Sequence, residues 1–259
     1  MKNKPYSKNS QKRFYDDLCS SDTKSKTLFS CSYEERFDPF LLVNNPEAFE
    51  AFHVIFSKII GNKKCLIIDC CTGSGQFLPV LHLFSRFLIG IDISFNLLSK
   101  AQFLVKKRNL GNTVLIQSEA ENIALKDNLF DVIVLIDSLH HVENQERMIQ
   151  QMKRIARNKA TLILIEPNIV NPLIFFAHVI PAEERGALRR STAPGIKKIL
   201  EPYVGDIRIH PLNYIASQKK SRIGKWISKV VKTVFEKIFP FWPIRLLIQG
   251  TIIKEKDEV

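Results

Sequence analysis

The stretch Cys65-Leu-Ile-Ile-Asp69-Cys70-Cys71-Thr72-Gly73-Ser74-Gly75-Gln76-Phe77 limits what this chain can fold into more than any other. An apolar, β-branched run ends in a carboxylate. A short loop with two glycines follows, and then an apolar helical pattern begins. This is the signature of the first strand–loop–helix unit of an α/β nucleotide-binding domain. Asp69 narrows the ligand. A loop that cradles pyrophosphate presents backbone N–H groups at a helix N-terminus, and a carboxylate beside it would repel phosphate. Asp69 suits a ligand with a nucleoside, a cationic amine and no phosphate; S-adenosylmethionine is such a molecule.

A dinucleotide fingerprint fits the same residues poorly. Starting G-x-G-x-x-G at Gly73 puts Leu78 where a third small residue is needed for close helix–strand packing. Further along, Phe87-Leu-Ile-Gly-Ile-Asp92-Ile93-Ser94 is a second buried strand ending in an acid, 23 residues after Asp69. That spacing is close to the roughly 20 residues expected of a ribose-binding carboxylate. Thr113-Val-Leu-Ile-Gln117-Ser-Glu119-Ala120-Glu121-Asn122 gives a third strand and an acidic turn. Phe130-Asp-Val-Ile-Val-Leu-Ile-Asp137-Ser138-Leu-His140-His141-Val142 gives a fourth strand and a histidine pair.

With these motifs in order, residues 65–168 resemble the class I S-adenosylmethionine-dependent methyltransferases, close to the small-molecule branch that includes ubiquinone- and menaquinone-biosynthesis enzymes. The resemblance implies that the loop of Asp69, Cys70, Cys71, Thr72, Gly73 and Gly75 wraps the methionine part of the cofactor. It implies that Asp92, followed by Ile93, holds the ribose, and that Glu119 and the N–H of Ala120 meet adenine. Asp137 and Ser138 would contact the methionine amine, often through main chain. The chain departs from the family pattern at Cys71, where glycine is usual, and at Glu119, where aspartate is usual.

The implied fold class is α/β: a Rossmann-like, doubly wound, mostly parallel seven-stranded sheet with helices on both faces and a helical lid insertion. The periodicity predicts a helix over 46–60, strand 65–69, helix 75–84, strand 87–92, helix 95–109, strand 113–117, strand 131–137, helix 143–157 and strand 160–166. Further strands are expected near 207–210 and 246–253. Residues 1–60 read as a basic tail and cap helices, 61–168 as the cofactor core, and 169–259 as lid insertion, last strands and an amphipathic basic helix. Within 171–202, an Asn-Pro step, a Phe-rich segment and a short helix are expected to cover the active site.

The chain has 259 residues, 38 Lys and Arg against 26 Asp and Glu, and a net charge of +12, concentrated at 2–26 and 219–237. The five cysteines show no disulfide or metal-ligand spacing, so no metal site and a reducing cytosol are expected. The first residues are polar, without the apolar core of a signal peptide, and no apolar run reaches membrane-spanning length. In the stretch 221–238, Ile223, Trp226, Ile227, Val230, Val231, Val234, Phe235 and Ile238 form a helical stripe opposite Arg222, Lys225, Lys229 and Lys232. A stripe of this kind more commonly faces a protein core; the other reading is an anionic membrane surface contacted through 221–243, making the protein cytoplasmic but peripheral on the membrane.

Methyl transfer is an in-line displacement at a sulfonium methyl, for which a protein mainly supplies alignment and a dry site. His140 and His141 follow the fourth strand and are candidates for a general base. Glu166 ends the fifth strand at the same edge and is a candidate to orient one of them. One histidine is expected to pack inward or to cap the next helix. His53 reads as structural and Glu121 as solvated; the resemblance implies a tyrosine covering the cofactor, for which Tyr15 and Tyr33 are candidates, while either one alone reads more simply as a surface aromatic packed locally. The expected acceptor is a small molecule: a sugar, a quinone or a lipid-linked intermediate. A nucleic-acid methyltransferase is the alternative raised by charge, against which the fourth strand lacks the Asp/Asn-Pro-Pro-aromatic motif of base-amine enzymes. A non-catalytic binding protein is the alternative raised by Cys71.

Overall fold

The computed structural model describes residues 37–179, 192–213 and 242–254, with isolated positions at 12, 230, 233, 234 and 237. Tyr15, Tyr33, Cys19, Cys31 and nearly all of the basic stripe at 221–238 lie outside the described residues.

One seven-stranded sheet runs in the order β3-β2-β1-β4-β5-β7-β6. Its members are β1 (Cys65–Cys70), β2 (Ser85–Asp92), β3 (Thr113–Gln117), β4 (Phe130–Ile136), β5 (Ala156–Pro167), β6 (Val204–Leu212) and β7 (Arg245–Ile252). The first five run parallel to one another, and β7 inserts antiparallel between β5 and β6. β1 and β4 lie in the middle, and Ile67, Ile68, Ile133, Val134 and Leu135 are completely buried. Continuous apolar runs are what a parallel strand covered on both faces requires.

The helices cover the two faces. α1 (Pro46–Ile60), α2 (Leu78–His82) and α3 (Phe95–Lys107) lie on one side, where Phe52, Phe56, Leu78 and Ala101 pack on Ile67, Leu88 and Val134. α4 (Gln145–Ile155) and α6 (Ala193–Leu200) lie on the other, over Ile68, Cys70, Ile133 and Leu164. α5 (Pro172–Val179) follows β5. Capping explains the clearest boundaries. Asn45 accepts from the Ala48 N–H at 3.1 Å, Pro46 opens α1, and Gly61 closes it at φ 75°. Ser94, Asn144 and Thr192 cap α3, α4 and α6 in the same way.

Several elements depart from expectation. The helix expected over 75–84 shrinks to Leu78–His82, because Gly75 has φ 81° and cannot start a right-handed helix. The helix expected over 143–157 stops at Ile155, since the chain turns extended at Ala156 and enters β5 early. A 3-10 turn, Leu139–His141, sits between β4 and α4. Finally, the segment 171–202 divides. α6 places Ile196 and Leu200, four residues apart, in the core against α4 and β6, so it is a packed crossover helix rather than a cover. Residues 180–191 between α5 and α6 lie outside the described residues.

At the amino edge, Asp131 ties four strands together. It accepts from the Leu66 N–H at 2.8 Å and pairs with Arg157 at 2.5 Å and Arg86 at 3.4 Å. The carboxyl edge is built differently, from buried acids.

Candidate active site

Four neighbouring strands each deliver an acid to the carboxyl edge: Asp92 from β2, Asp69 from β1, Asp137 just after β4 and Glu166 from β5. Asp69, Asp92 and Glu166 are 3%, 7% and 0% exposed. Such burial is costly for a charge, so what surrounds each one is informative.

Asp69 accepts from the Thr72 hydroxyl at 2.6 Å. Burial pushes its carboxyl up to about 7, the Thr72 bond opposes that, and the Asp92 charge adds to it. The loop is tied to β2 and then turns on itself: the Thr72 N–H donates to the Ile91 carbonyl at 2.8 Å and the Gly75 N–H to the Thr72 carbonyl at 2.9 Å. Cys71, Gly73 and Gly75 have φ of 59°, 56° and 81°. The glycine that the resemblance implies at position 71 would have a backbone cause, because an L side chain there pays roughly 1–2 kcal/mol. Cys70 is fully buried, and burial holds the Cys70 and Cys71 thiols well above their ordinary range, so neither is a ready nucleophile.

Asp92 joins two turns. Its Oδ2 accepts from the Gly73 N–H at 2.8 Å and its Oδ1 from the Ser94 N–H at 2.8 Å. The Ser118 N–H donates to the Asp92 carbonyl at 2.9 Å, which brings the turn of Glu119 and Ala120 beside the ribose acid. Both turn residues are half-buried, and the Asn122 N–H closes the turn on the Glu119 carbonyl at 3.0 Å. Gln117 holds the Ile93 carbonyl at 3.0 Å. Glu121 is not simply solvated: its carboxylate accepts from the Asn144 N–H at 3.0 Å and ties this turn to the start of α4.

Asp137, Ser138, His140 and Glu166 form a second cluster. Glu166 Oε1 accepts from the Ser138 and Leu139 N–H groups at 2.8 and 2.7 Å, and its Oε2 lies 2.6 Å from His140 Nδ1. Burial pushes the Glu166 carboxyl up to about 7 against the pull of those N–H donors and of His141. His140 is the inward histidine, 3% exposed, and His141 is half-buried with its ring centroid 3.9 Å away. Ser138 is engaged inside the turn: its N–H goes to Glu166, its hydroxyl to the Ile136 carbonyl at 2.6 Å, and its carbonyl accepts from the His141 N–H at 3.0 Å. Asp137 adopts φ 50°, and its carboxylate turns to Arg245 at 2.7 Å.

Arg245 was not foreseeable, because only the insertion of β7 beside β5 brings it there. Two buried asparagines fix the approach to it. Asn168 Nδ2 donates to the Pro243 carbonyl at 2.9 Å, and Asn171 Nδ2 to the Trp242 carbonyl at 2.6 Å. Asn171 also caps α5 through its Oδ1 (2.9 Å to the Leu173 N–H), a role its place before Pro172 announces. The remaining histidines stand apart from this edge. His53 stacks on Phe84, His82 meets Thr113 at 3.4 Å, and His210 is exposed on β6; the His178 side chain is outside the described residues.

The residues present fit S-adenosylmethionine. Acids stand where a phosphate-binding site would present donors, Asp92 pins the Gly73 loop to the Ser94 turn, and a Cβ added at Gly73 would meet nothing within 4 Å, so the loop borders open space there. Comparison with known proteins agrees. A family model described as a methyltransferase domain matches residues 61–206. An uncharacterised protein of Methanocaldococcus jannaschii is 32% identical over 120 residues, covering 46% of this chain and 48% of that protein. A demethylmenaquinone methyltransferase of a Geobacillus species is 28% identical over 102 residues, covering 38% and 44%. The chain thus spans about half the length of the curated relatives it matches. Among solved structures, a Haemonchus contortus phosphoethanolamine N-methyltransferase bound to S-adenosylhomocysteine superposes with a TM-score of 0.63 at 12% identity, over 93% of this chain and 61% of that one, a likeness of fold.

Proposed function

The chain belongs to the methyltransferase-domain family, and from that premise we propose that it transfers the methyl group of S-adenosylmethionine to a small-molecule acceptor. The observation that carries this reading is the row of buried acids at the carboxyl edge, with Asp92 pinning the Gly73 loop. In this reading Asp92 takes the ribose hydroxyls, Glu119 and Ala120 border adenine, and Asp69 with the Thr72–Gly75 loop surrounds the methionine end. The bound cofactor supplies an activated methyl group. The protein supplies alignment and exclusion of water.

His141 is the better placed of the two histidines to meet an acceptor, being the less buried. His140, locked onto Glu166 inside the sheet edge, serves as a positioning residue for the turn that carries His141. The acceptor is a quinone or another partly apolar intermediate, a reading favoured by the relatives named above and by apolar residues near the same edge. Asn171, whose side chain holds the Trp242 carbonyl, sits among Val170, Phe175 and Trp242, which are 53%, 41% and 39% exposed.

Titration with S-adenosylmethionine and S-adenosylhomocysteine by calorimetry tests the cofactor assignment. Asp92→Asn is the informative variant, since alanine would also unpin the Gly73 loop. The amide keeps the shape and its oxygen can still accept from the Gly73 N–H, but it loses the Ser94 N–H bond and weakens the ribose contacts. Affinity is expected to fall at least ~30-fold, about 2 kcal/mol for hydrogen bonds to a charged group, with the fold retained. Unchanged affinity would remove Asp92 from the ribose site.

A surface role for the basic C-terminal sequence belongs to the same reading. Residues 219–237 hold seven Lys and Arg against one Glu and lead into exposed Trp242. The protein is expected to co-sediment with anionic phosphatidylglycerol vesicles and not with neutral phosphatidylcholine vesicles, the binding falling with salt and with Trp242→Ser. Equal recovery in both supernatants would leave the basic stripe facing the protein.

A further inference from the structure

The four edge acids are not equally provided for. Asp92 has two backbone N–H donors, Asp137 has Arg245, and Glu166 has two N–H donors and His140. Asp69 has the Thr72 hydroxyl. Among the described residues no Lys, Arg or His forms an ion pair with it. Its register partners on either side are Gly90 and Val134, which carry no charge. The titratable groups facing it are Asp92 from β2, whose charge opposes a negative charge there, and the neighbouring Cys70 and Cys71 thiols of its own strand and loop, which are held protonated and offer no positive charge.

We propose that Asp69 is a proton-exchange site for the cofactor: its carboxyl is neutral in the ligand-free protein and loses its proton to solvent when a positively charged ligand group enters beside it. The inference rests on the cofactor reading above and adds a linkage to it. The balance is simple. A neutral acid and a cationic ligand go in; an ion pair and one free proton come out. A buried carboxyl with one donor and a negative neighbour keeps its proton near neutrality, and a cation in contact reverses this. The burial shift to about 7 agrees. Below that pH each unit of acidity must weaken binding about tenfold, because one proton is displaced; above it the dependence levels off. The cation is the ammonium or the sulfonium of the cofactor, and after transfer only the ammonium remains. If the sulfonium is the partner, product formation returns the proton to Asp69 and loosens the product.

Calorimetry at about pH 6, below the range where an α-amino group titrates, in two buffers of different ionisation enthalpy, reads the proton directly. S-adenosylmethionine is expected to release close to one proton, and uncharged 5′-methylthioadenosine none. Release with S-adenosylhomocysteine as well assigns the ammonium; release with S-adenosylmethionine alone assigns the sulfonium. Asp69→Asn is expected to release none and to bind with an affinity flat between about pH 5.5 and 7. Should that variant not fold, Thr72→Val serves: losing the donor raises the Asp69 carboxyl further and moves the release to higher pH. Binding of S-adenosylmethionine with the same heat in both buffers overturns the proposal while leaving the cofactor reading intact, and so does undiminished release from Asp69→Asn. Absence of any binding removes the cofactor reading and this one with it.

Discussion

Glu166→Ala is expected to cost the folded protein about 4 kcal/mol, much of the 5–15 kcal/mol by which a domain is stable. The substitution strands the Ser138 and Leu139 N–H groups and removes the acceptor for His140, all at a completely buried position. Each stranded buried donor costs about 1–3 kcal/mol, and the cavity left behind adds to this. Glu166→Gln separates the two contributions. Its amide oxygen can still accept from both N–H groups, and its amide nitrogen can face His140 in the other tautomer, so a loss of only about 1 kcal/mol is expected. Urea denaturation of the three proteins checks the order. A Glu166→Ala protein as stable as the parent would mean that the turn after β4 is held by something other than this carboxylate.

The reason for that cost is also the reason the site exists. A parallel strand ends at the carboxyl edge with its last carbonyl and side chain unpaired, and the chain must turn sharply to leave the sheet. Asp92 satisfies the turns after β1 and β2 together; Glu166, from β5, satisfies the turn after β4. Acids serve because the free groups at these turns are N–H donors, and those donors partly offset the desolvation of the charge. The arrangement leaves an edge lined with carboxyl groups, which favours a cationic, hydroxyl-bearing ligand and disfavours phosphate.

How much of this could be read from the chain depends on the range of the interaction. α1 was legible to the residue because its caps are local: Asn45, Pro46 and Gly61 mark both ends. β3 was legible because its β-branched run stops at polar residues on either side. Asp69 and Asp92 were legible because each closes an apolar run. The start of β5 was not, since Ala156-Arg-Asn-Lys continues a helical pattern until the backbone turns extended, with Lys159 at φ 63°. Nor was the Asp137–Arg245 pair, whose partners are joined only by the order of β5, β7 and β6. The inward turn of His140 was expected of one histidine in the pair; which one depends on Glu166, contributed by a different strand.

Gly73 and Gly75 look equivalent in the sequence and should fail differently when substituted. Both have positive φ, so alanine at either pays about 1–2 kcal/mol in backbone strain. At Gly75 the new Cβ would also stand 2.9 Å from the Ala101 Cβ, 3.2 Å from the Ala101 Cα and 2.8 Å from the Leu78 Cδ1. The Ala101 backbone belongs to α3 and cannot retreat alone, so the loop or the helix must shift, adding about 1–3 kcal/mol of overpacking. Gly75→Ala is therefore expected to lower the melting temperature by roughly 10 °C, at about 2–4 °C per kcal/mol for a chain of this size. At Gly73 the same methyl meets nothing within 4 Å. Gly73→Ala should shift melting by only a few degrees, about 1–2 kcal/mol, and act on binding instead, because the methyl projects into the open space beside the Asp92-pinned loop. Thermal melts paired with S-adenosylmethionine titrations of both variants give the comparison. If Gly73→Ala binds like the parent protein, the cofactor does not approach the loop at Gly73; if Gly75→Ala melts like the parent, α3 yields where its packing says it should not.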